Sequence, residues 1–325
     1  MKNVYRNNRP RSRRLFAWHS SGLLFLLIFL PVSHLLAEEP LGWKFKVGDE
    51  HHYRLTQQMN MAMFLGPAGE LETSVQQKMD MVWKVVSLDD QGTASLLQQI
   101  NRVQLEITGP GSTEITYDSQ LKDMPIGYGA MIDPAIKVWI ANPIQLTMTP
   151  QGKIVSISIP EKVSKAITIM PGAEMIRVFL TAEGYRDVMQ QLSLVLPPAT
   201  ALVPDYQWTT NQETLHPELG KITAGMTYQY KGNRTEAGQV YENFFPKLEL
   251  DFGESKEQNP SQMKAKEQDS KGNILFNRTS GWLESSKLEQ TMKLFSSETQ
   301  PVEQTIDLKI EFNRVPPPQE GSPIN

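Results

Sequence analysis

The chain has 325 residues, 39% apolar and 8% aromatic, enough to build buried cores, and it contains no cysteine. Disulfides, thiolate metal sites, thiol catalysis and lipidation at a lipobox cysteine are thereby excluded. Six of the 32 basic residues fall in the first 37 positions with no acid among them, leaving 26 against 36 acidic groups and a formal charge of −10. With no Lys/Arg cluster to interrupt it, that balance repels phosphate backbones and excludes nucleic acid as a partner.

Residues 1–37 have the parts of an export signal: the basic residues Lys2 to Arg14, the apolar core GLLFLLIFLPVSHLLA, and a cleavage point after Ala37. Arg13-Arg14 followed by Leu15-Phe16 has the form of a twin-arginine address. Residues 15–37 are also an uncharged run long enough to span a bilayer. A cleaved signal for the periplasm or cell envelope and a retained inner-membrane anchor are both open.

Beyond residue 40 the pattern is period-two alternation broken by turn residues. WKFKVGDEHHYRL places Trp43, Phe45 and Val47 on one face before a turn at Gly48-Asp49. Strands follow over Tyr53 to Leu65, Val75 to Leu88 and Thr93 to Thr108, joined through GPAGE and DDQG as an antiparallel meander. Asp133-Pro134 reads as a helix start, and IQLTMTPQGKIVSISI as a hairpin turning at Pro150 and Gly152. Pro160 opens EKVSKAITIM, and AEMIRVFLTAEGYRDVMQQLSLVL has the three- and four-residue spacing of an amphipathic helix. Strands then return from Tyr206, among them Met263 to Gln268 and Ile274 to Glu284 on either side of SKGN, then Lys287 to Phe295 and Val302 to Phe312. The expectation is a mainly β fold with a central helical segment, built of curved antiparallel sheets. It divides into a β-meander plus helices over 41–196, a second β-rich domain over 197–313, and a disordered Pro-rich tail over 314–325. The two halves each open on a tryptophan, Trp43 and Trp208, as two related half-barrel-like units would.

The residues with chemical promise are the methionines. Strand geometry puts Met59, Met61 and Met63 on one face, and Met79 and Met81 on one face with Trp83. As a flexible apolar wall they would line a cavity for a greasy ligand. As thioethers, Met59, Met61, Met79 and Met81 would suit Cu(I). His51 and His52 point to opposite sides of a strand, and His216 precedes a proline, so no zinc set forms. Asp89-Asp90, Glu257 and Asp269 adjoin turn signals, and no G-x-S-x-G elbow or phosphate loop appears, so a non-catalytic role without a cofactor is expected.

The order of WKFKVGDEHHYRL, QQKMDMVWKVVSLDDQGTASL, IQLTMTPQGKIVSISIPEKV and SKGNILFNRTSGWLESSKLEQTMKL resembles an uncharacterised family of exported bacterial proteins, a domain of unknown function. The resemblance covers most of residues 41–313. It implies that the Met-rich first hairpin, the turn Thr149-Pro150-Gln151-Gly152 and the strand Gly281 to Ser286 are architecture, and it brings no catalytic residues. The arginine pair departs from the lipoprotein cysteine or plain signal that many relatives carry. The sequence thus leads to an exported envelope protein that binds a hydrophobic ligand or a protein partner, in the manner of half-barrel carriers, with a methionine Cu(I) site as the rival.

Overall fold

The structure, a computed structural model, describes residues 40–109, 113–169, 181–197, 202–216, 220–253, 263–296 and 302–318. Residues 1–39, where an export signal or anchor is expected, Glu257 and residues 319–325 lie outside them. Among the described residues no helix is long and apolar enough to cross a membrane.

The strands are β1 (Glu50–Phe64), β2 (Glu70–Leu88), β3 (Ala94–Gly109), β4 (Thr113–Asp118), β5 (Ile144–Met148), β6 (Ile154–Ser158), β7 (Gln207–His216), β8 (Gly220–Glu236), β9 (Gln239–Phe252), β10 (Met263–Asn277), β11 (Trp282–Ser296) and β12 (Glu303–Val315). They join in one open antiparallel sheet, ordered β6-β5-β3-β2-β1-β12-β11-β10-β9-β8-β7, with β4 beside β3. The first and last strands meet in its middle, from His52 opposite Val315 to Phe64 opposite Glu303. Strands from both halves of the sequence therefore share one continuous sheet, curved as expected.

Alternation decides which side is inner. On β1, His51, Tyr53 and Leu55 are buried while Glu50 and Arg54 are exposed. The outer side is laced by ion pairs such as Arg54–Asp80 at 2.6 Å and Lys293–Glu267 at 2.7 Å. Exposed pairs of this kind are screened by water and stabilise little. The inner side carries the energy: Trp83, Trp282, Tyr53, Phe244 and Phe312 are fully buried, each contributing about 1.5–3 kcal/mol. Tyr53 stacks on Phe312 at 4.5 Å, and its hydroxyl donates to the Leu283 carbonyl at 3.0 Å.

Three α-helices, α1 (Gly127–Ala141), α2 (Glu161–Thr168) and α3 (Ala182–Leu192), and a single 3-10 turn at Gly66–Ala68 complete the described elements. Thr181 caps α3 by accepting from the Gly184 amide at 3.1 Å. α3 packs against both edge strands of the sheet, β6 and β7. Gln190 serves the β6 edge as a strand neighbour would: its Oε1 accepts from the Ile154 amide at 2.7 Å, and its Nε2 donates to the Gly152 carbonyl at 2.9 Å. On the other side Asp187 accepts from the Thr214 hydroxyl on β7. The residues after α3 continue the join, with the Leu196 amide donating to the Gln151 carbonyl at 2.7 Å and the Trp208 indole to the Val195 carbonyl at 2.8 Å.

Three local expectations change. Residues 41–47 form no strand: they run as a strap, the Trp43 amide on the Pro150 carbonyl and the Lys44 amide on the Gly281 carbonyl, with Trp43 edge-on to Trp282 at 5.6 Å. The turn and the strand start that carry the family resemblance are thus both tied to this strap, through Pro150 and Gly281. α1 begins at Gly127 and contains Pro134 rather than starting there. SKGN is not a turn; β10 runs straight through it, and the chain turns at residues 278–281, where Asn277 Oδ1 accepts from the Ser280 amide at 3.0 Å. Packing overrides turn chemistry here, since a Cβ on Gly272 would come within 2.6 Å of Pro246 and only glycine lets β9 and β10 approach.

That approach is local. β9 and β10 share a ladder only from Phe244–Ile274 to Glu242–Phe276. Past Pro246, which has no amide hydrogen, side chains replace it: Ser270 Oγ accepts from the Leu248 amide at 3.0 Å, and the Gln268 amide group spans the amide and carbonyl of Leu250.

Candidate functional site

Directly opposed residues of an antiparallel sheet face the same way about 5 Å apart, so the registers assemble the inner face into transverse rows. The first crosses Ile274, Ser286, Phe312, Leu55, Met79 and Val103, and all of it is buried. The next crosses Gly272, Leu288, Ile310, Gln57, Gln77, Leu105 and Tyr117. Beyond it come Ser270, Gln290, Leu308, Met59, Val75, Ile107 and Ile115. Then follow Gln268, Met292, Ile306, Met61 and Thr73, and last Ala265, Leu294, Gln304, Met63 and Leu71. None of these residues is charged. From the second row outward the β1, β2 and β12 side chains are only half-buried, and Leu71 is exposed. The helices pack chiefly elsewhere, on β3, β4, β6 and β7.

The methionines divide along this face. Met59, Met61 and Met63 lie on the half-buried rows, whereas Met79, Met81 and Trp83 are fully buried in the aromatic core. Met79 opposes Leu55, four residues from Met59, a separation of about 13 Å along the strand. Met81 opposes Tyr53, eight residues from Met61, or about 26 Å. The four thioethers named for Cu(I) therefore do not converge on one ion. Two of the sulfurs already accept weak hydrogen bonds, Met81 from Gln98 at 3.2 Å and Met61 from Gln304. Among the described residues no cluster of His, Asp and Glu could hold a metal. Of the predicted face, Met59, Met61 and Met63 are thus brought together with each other. Sequence reasoning missed their row partners Leu308, Ile306, Val75 and Gln290, because pairing is not written in one strand. Gln290 did leave a signal, a lone polar residue at an apolar position of Leu288, Gln290, Met292, Leu294.

Buried polar groups are mostly satisfied. Glu242 is held by Arg278 and by the Tyr230 hydroxyl, and Gln98 by Tyr185. Gln290 and His51 depart from this pattern: Gln290 is 3% exposed with neither amide atom hydrogen-bonded, and both His51 ring nitrogens are unpartnered, the ring lying 3.7 Å from that of Trp282. Two depressions of the described surface are open: one of about 430 Å³ among Asn211, Thr223, Lys247 and Asp251, and one of about 590 Å³ where Asn60, Glu72, Ser74 and Thr305 stand beside Met61, Leu71 and Thr73 of the outer rows.

Burial pushes the His51 imidazole down to about 4, with nearby Arg314 acting the same way. The unfolded chain, with the ordinary value near 6.5, therefore takes up the proton first, so stability is full above pH 6.5 and falls as pH drops toward 4. By pH 5 the loss is at most about 2 kcal/mol. Urea midpoints at pH 7 and pH 5 should differ accordingly, and His51→Phe, which keeps the stack on Trp282, should flatten that slope.

No protein-family model matches the chain, and no curated protein does. Among solved structures it is similar to one entitled "Lipid-protein interactions in lipovitellin", at 14% identity over 86% of this chain and 27% of that one, with a TM-score of 0.47. The chain thus spans about a quarter of the length of that protein. It also matches DynF of the dynemicin biosynthesis pathway of Micromonospora chersina (8% identity, 86% of each chain, TM-score 0.21). A further match is an outer membrane channel of Pseudomonas putida F1 (7% identity, 84% of this chain and 97% of that one, TM-score 0.26). None reaches a TM-score of 0.5, and none bears on what this chain binds.

Proposed function

We propose that the protein is an exported, non-catalytic binder of an apolar ligand, which lies across the half-buried rows of the inner face around Met59, Met61, Ile306 and Leu308. The observation that carries this is the continuation of an uncharged, mostly apolar face past the filled core, over strands that the helices do not chiefly cover. Alternating apolar residues on the solvated half of a strand are otherwise a liability, and a soluble protein keeps such a surface when something binds it. Methionines suit the role, since their unbranched side chains repack around different chains. Export rests on residues 1–37.

The test is uptake of N-phenyl-1-naphthylamine, an uncharged dye that brightens in apolar surroundings. The wild-type protein should brighten it saturably. Leu308→Asp should weaken uptake at least tenfold, because it sets a charge in the middle of the row. Met79→Leu, beneath the core, should leave uptake as it was. A protein that neither takes up the dye nor carries an apolar adduct in native mass spectrometry after gentle purification would end this proposal.

A further inference from the structure

Resting on that proposal, we infer that Gln290 selects the ligand: the site takes an acyl chain bearing an uncharged group that offers a hydrogen-bond donor beside an acceptor, as an amide does. Gln290 stands in the middle of the ligand-facing rows, opposite Leu308 on one side and Ser270 on the other. It is nearly fully buried, yet its Oε1 and Nε2 both lack a partner. A buried amide left this way is costly, and the surrounding fold has no structural use for it, because β11 pairs normally on both sides there. Ser270 does not answer it: its hydroxyl accepts from the Leu248 amide and makes no hydrogen bond to Gln290.

The chemistry of the ligand head follows from what surrounds that amide. A side-chain carboxamide presents an acceptor and a donor side by side, and the group that satisfies both is another amide or an un-ionised acid. A charged head is disfavoured, because none of the five rows contains a charge of either sign to compensate it. The chain attached to the head would lie along Leu308 and Met59 toward Val75 and Ile107, the same row in which Gln290 stands. Met292 and Met59 give the room: flexible side chains at the row can move aside for the head without breaking the strand ladder.

Competition against the bound dye tests this at pH 8, with decanamide and decanoate as probes of equal chain length. Decanamide should displace dye from the wild-type protein at a concentration at least tenfold lower than decanoate. In Gln290→Leu, with the dye's own affinity for that variant measured first, decanamide should lose at least tenfold relative to decanoate and the preference disappear. Should that variant fail to fold, Gln290→Met, closest in length, takes its place. Equal competition by the two probes, or a variant that keeps the preference, overturns the assignment while leaving an apolar site standing. Absence of dye binding to the wild-type protein overturns the apolar site and this assignment with it.

Discussion

Gly152→Ala should destabilise the protein by at least about 3 kcal/mol, read as a lower urea midpoint of tryptophan fluorescence. Two effects add. Gly152 has φ +84, a left-handed conformation that costs a side chain about 1–2 kcal/mol. The larger effect is steric, for a Cβ there would lie 2.1 Å from the Leu194 carbonyl oxygen and 2.4 Å from Trp43 Nε1. Those two atoms are hydrogen-bonded to each other at 3.1 Å, so the methyl group is driven into that bond, and both residues are buried. The Gly152 carbonyl also accepts from Gln190 and would be displaced with it. Gly48→Ala separates the contributions: its φ is +92, but its Cβ meets nothing within 4 Å, so it should show the backbone cost alone. Equal losses in the two variants would mean that the crossing of strap, turn and post-helical segment is not what the glycine protects.

Arg278→Met should cost about 3–5 kcal/mol, because it leaves the Glu242 carboxylate buried without its cation. Glu242 is 2% exposed on the inner side of β9, and the Tyr230 hydroxyl donates to its other oxygen. Neutral donors, the Tyr230 hydroxyl and the Asn233 amide at 2.7 Å, do not balance a charge in that setting. The partner substitution decides whether charge is the cause. Glu242→Gln combined with Arg278→Met should recover a large part of the loss, since the amide keeps an acceptor for Tyr230 and removes the charge. A double variant as unstable as the single one in thermal unfolding would place the loss in packing of the arginine stem instead.

Much of the fold was legible, for reasons that particular residues show. Ile306, Leu308, Ile310 and Phe312 alternate cleanly with Thr305, Asp307, Lys309 and Glu311, and β12 lies there. Strand identity is local, so one chain segment suffices to read it. Register is not local. That Met59 stands opposite Val75 and Leu308, rather than beside Met79, depends on where the hairpin turns and on a pairing between the first strand and the last. SKGN failed for a related reason: its turn chemistry is genuine, but the approach of Pro246 and the donation from Asn273 to Asn243 at 2.6 Å hold it extended. Gln290 read as an ordinary member of a strand until its neighbours showed that nothing answers its amide.

The helix between the two sheet edges has a consequence for solubility. β6 and β7 would each present a row of free amides and carbonyls to solvent, and because one belongs to each end of the same sheet, one molecule's β6 could take the β7 of the next. Such head-to-tail contacts do not close, so they grow into fibres. Gln190 occupies the Ile154 amide of β6 and the Gly152 carbonyl just before it, and α3 packs on β7, where Asp187 accepts from the Thr214 hydroxyl. Residues 182–192 therefore shield both edges at once, and loss of this one short helix would open both to strand pairing between molecules.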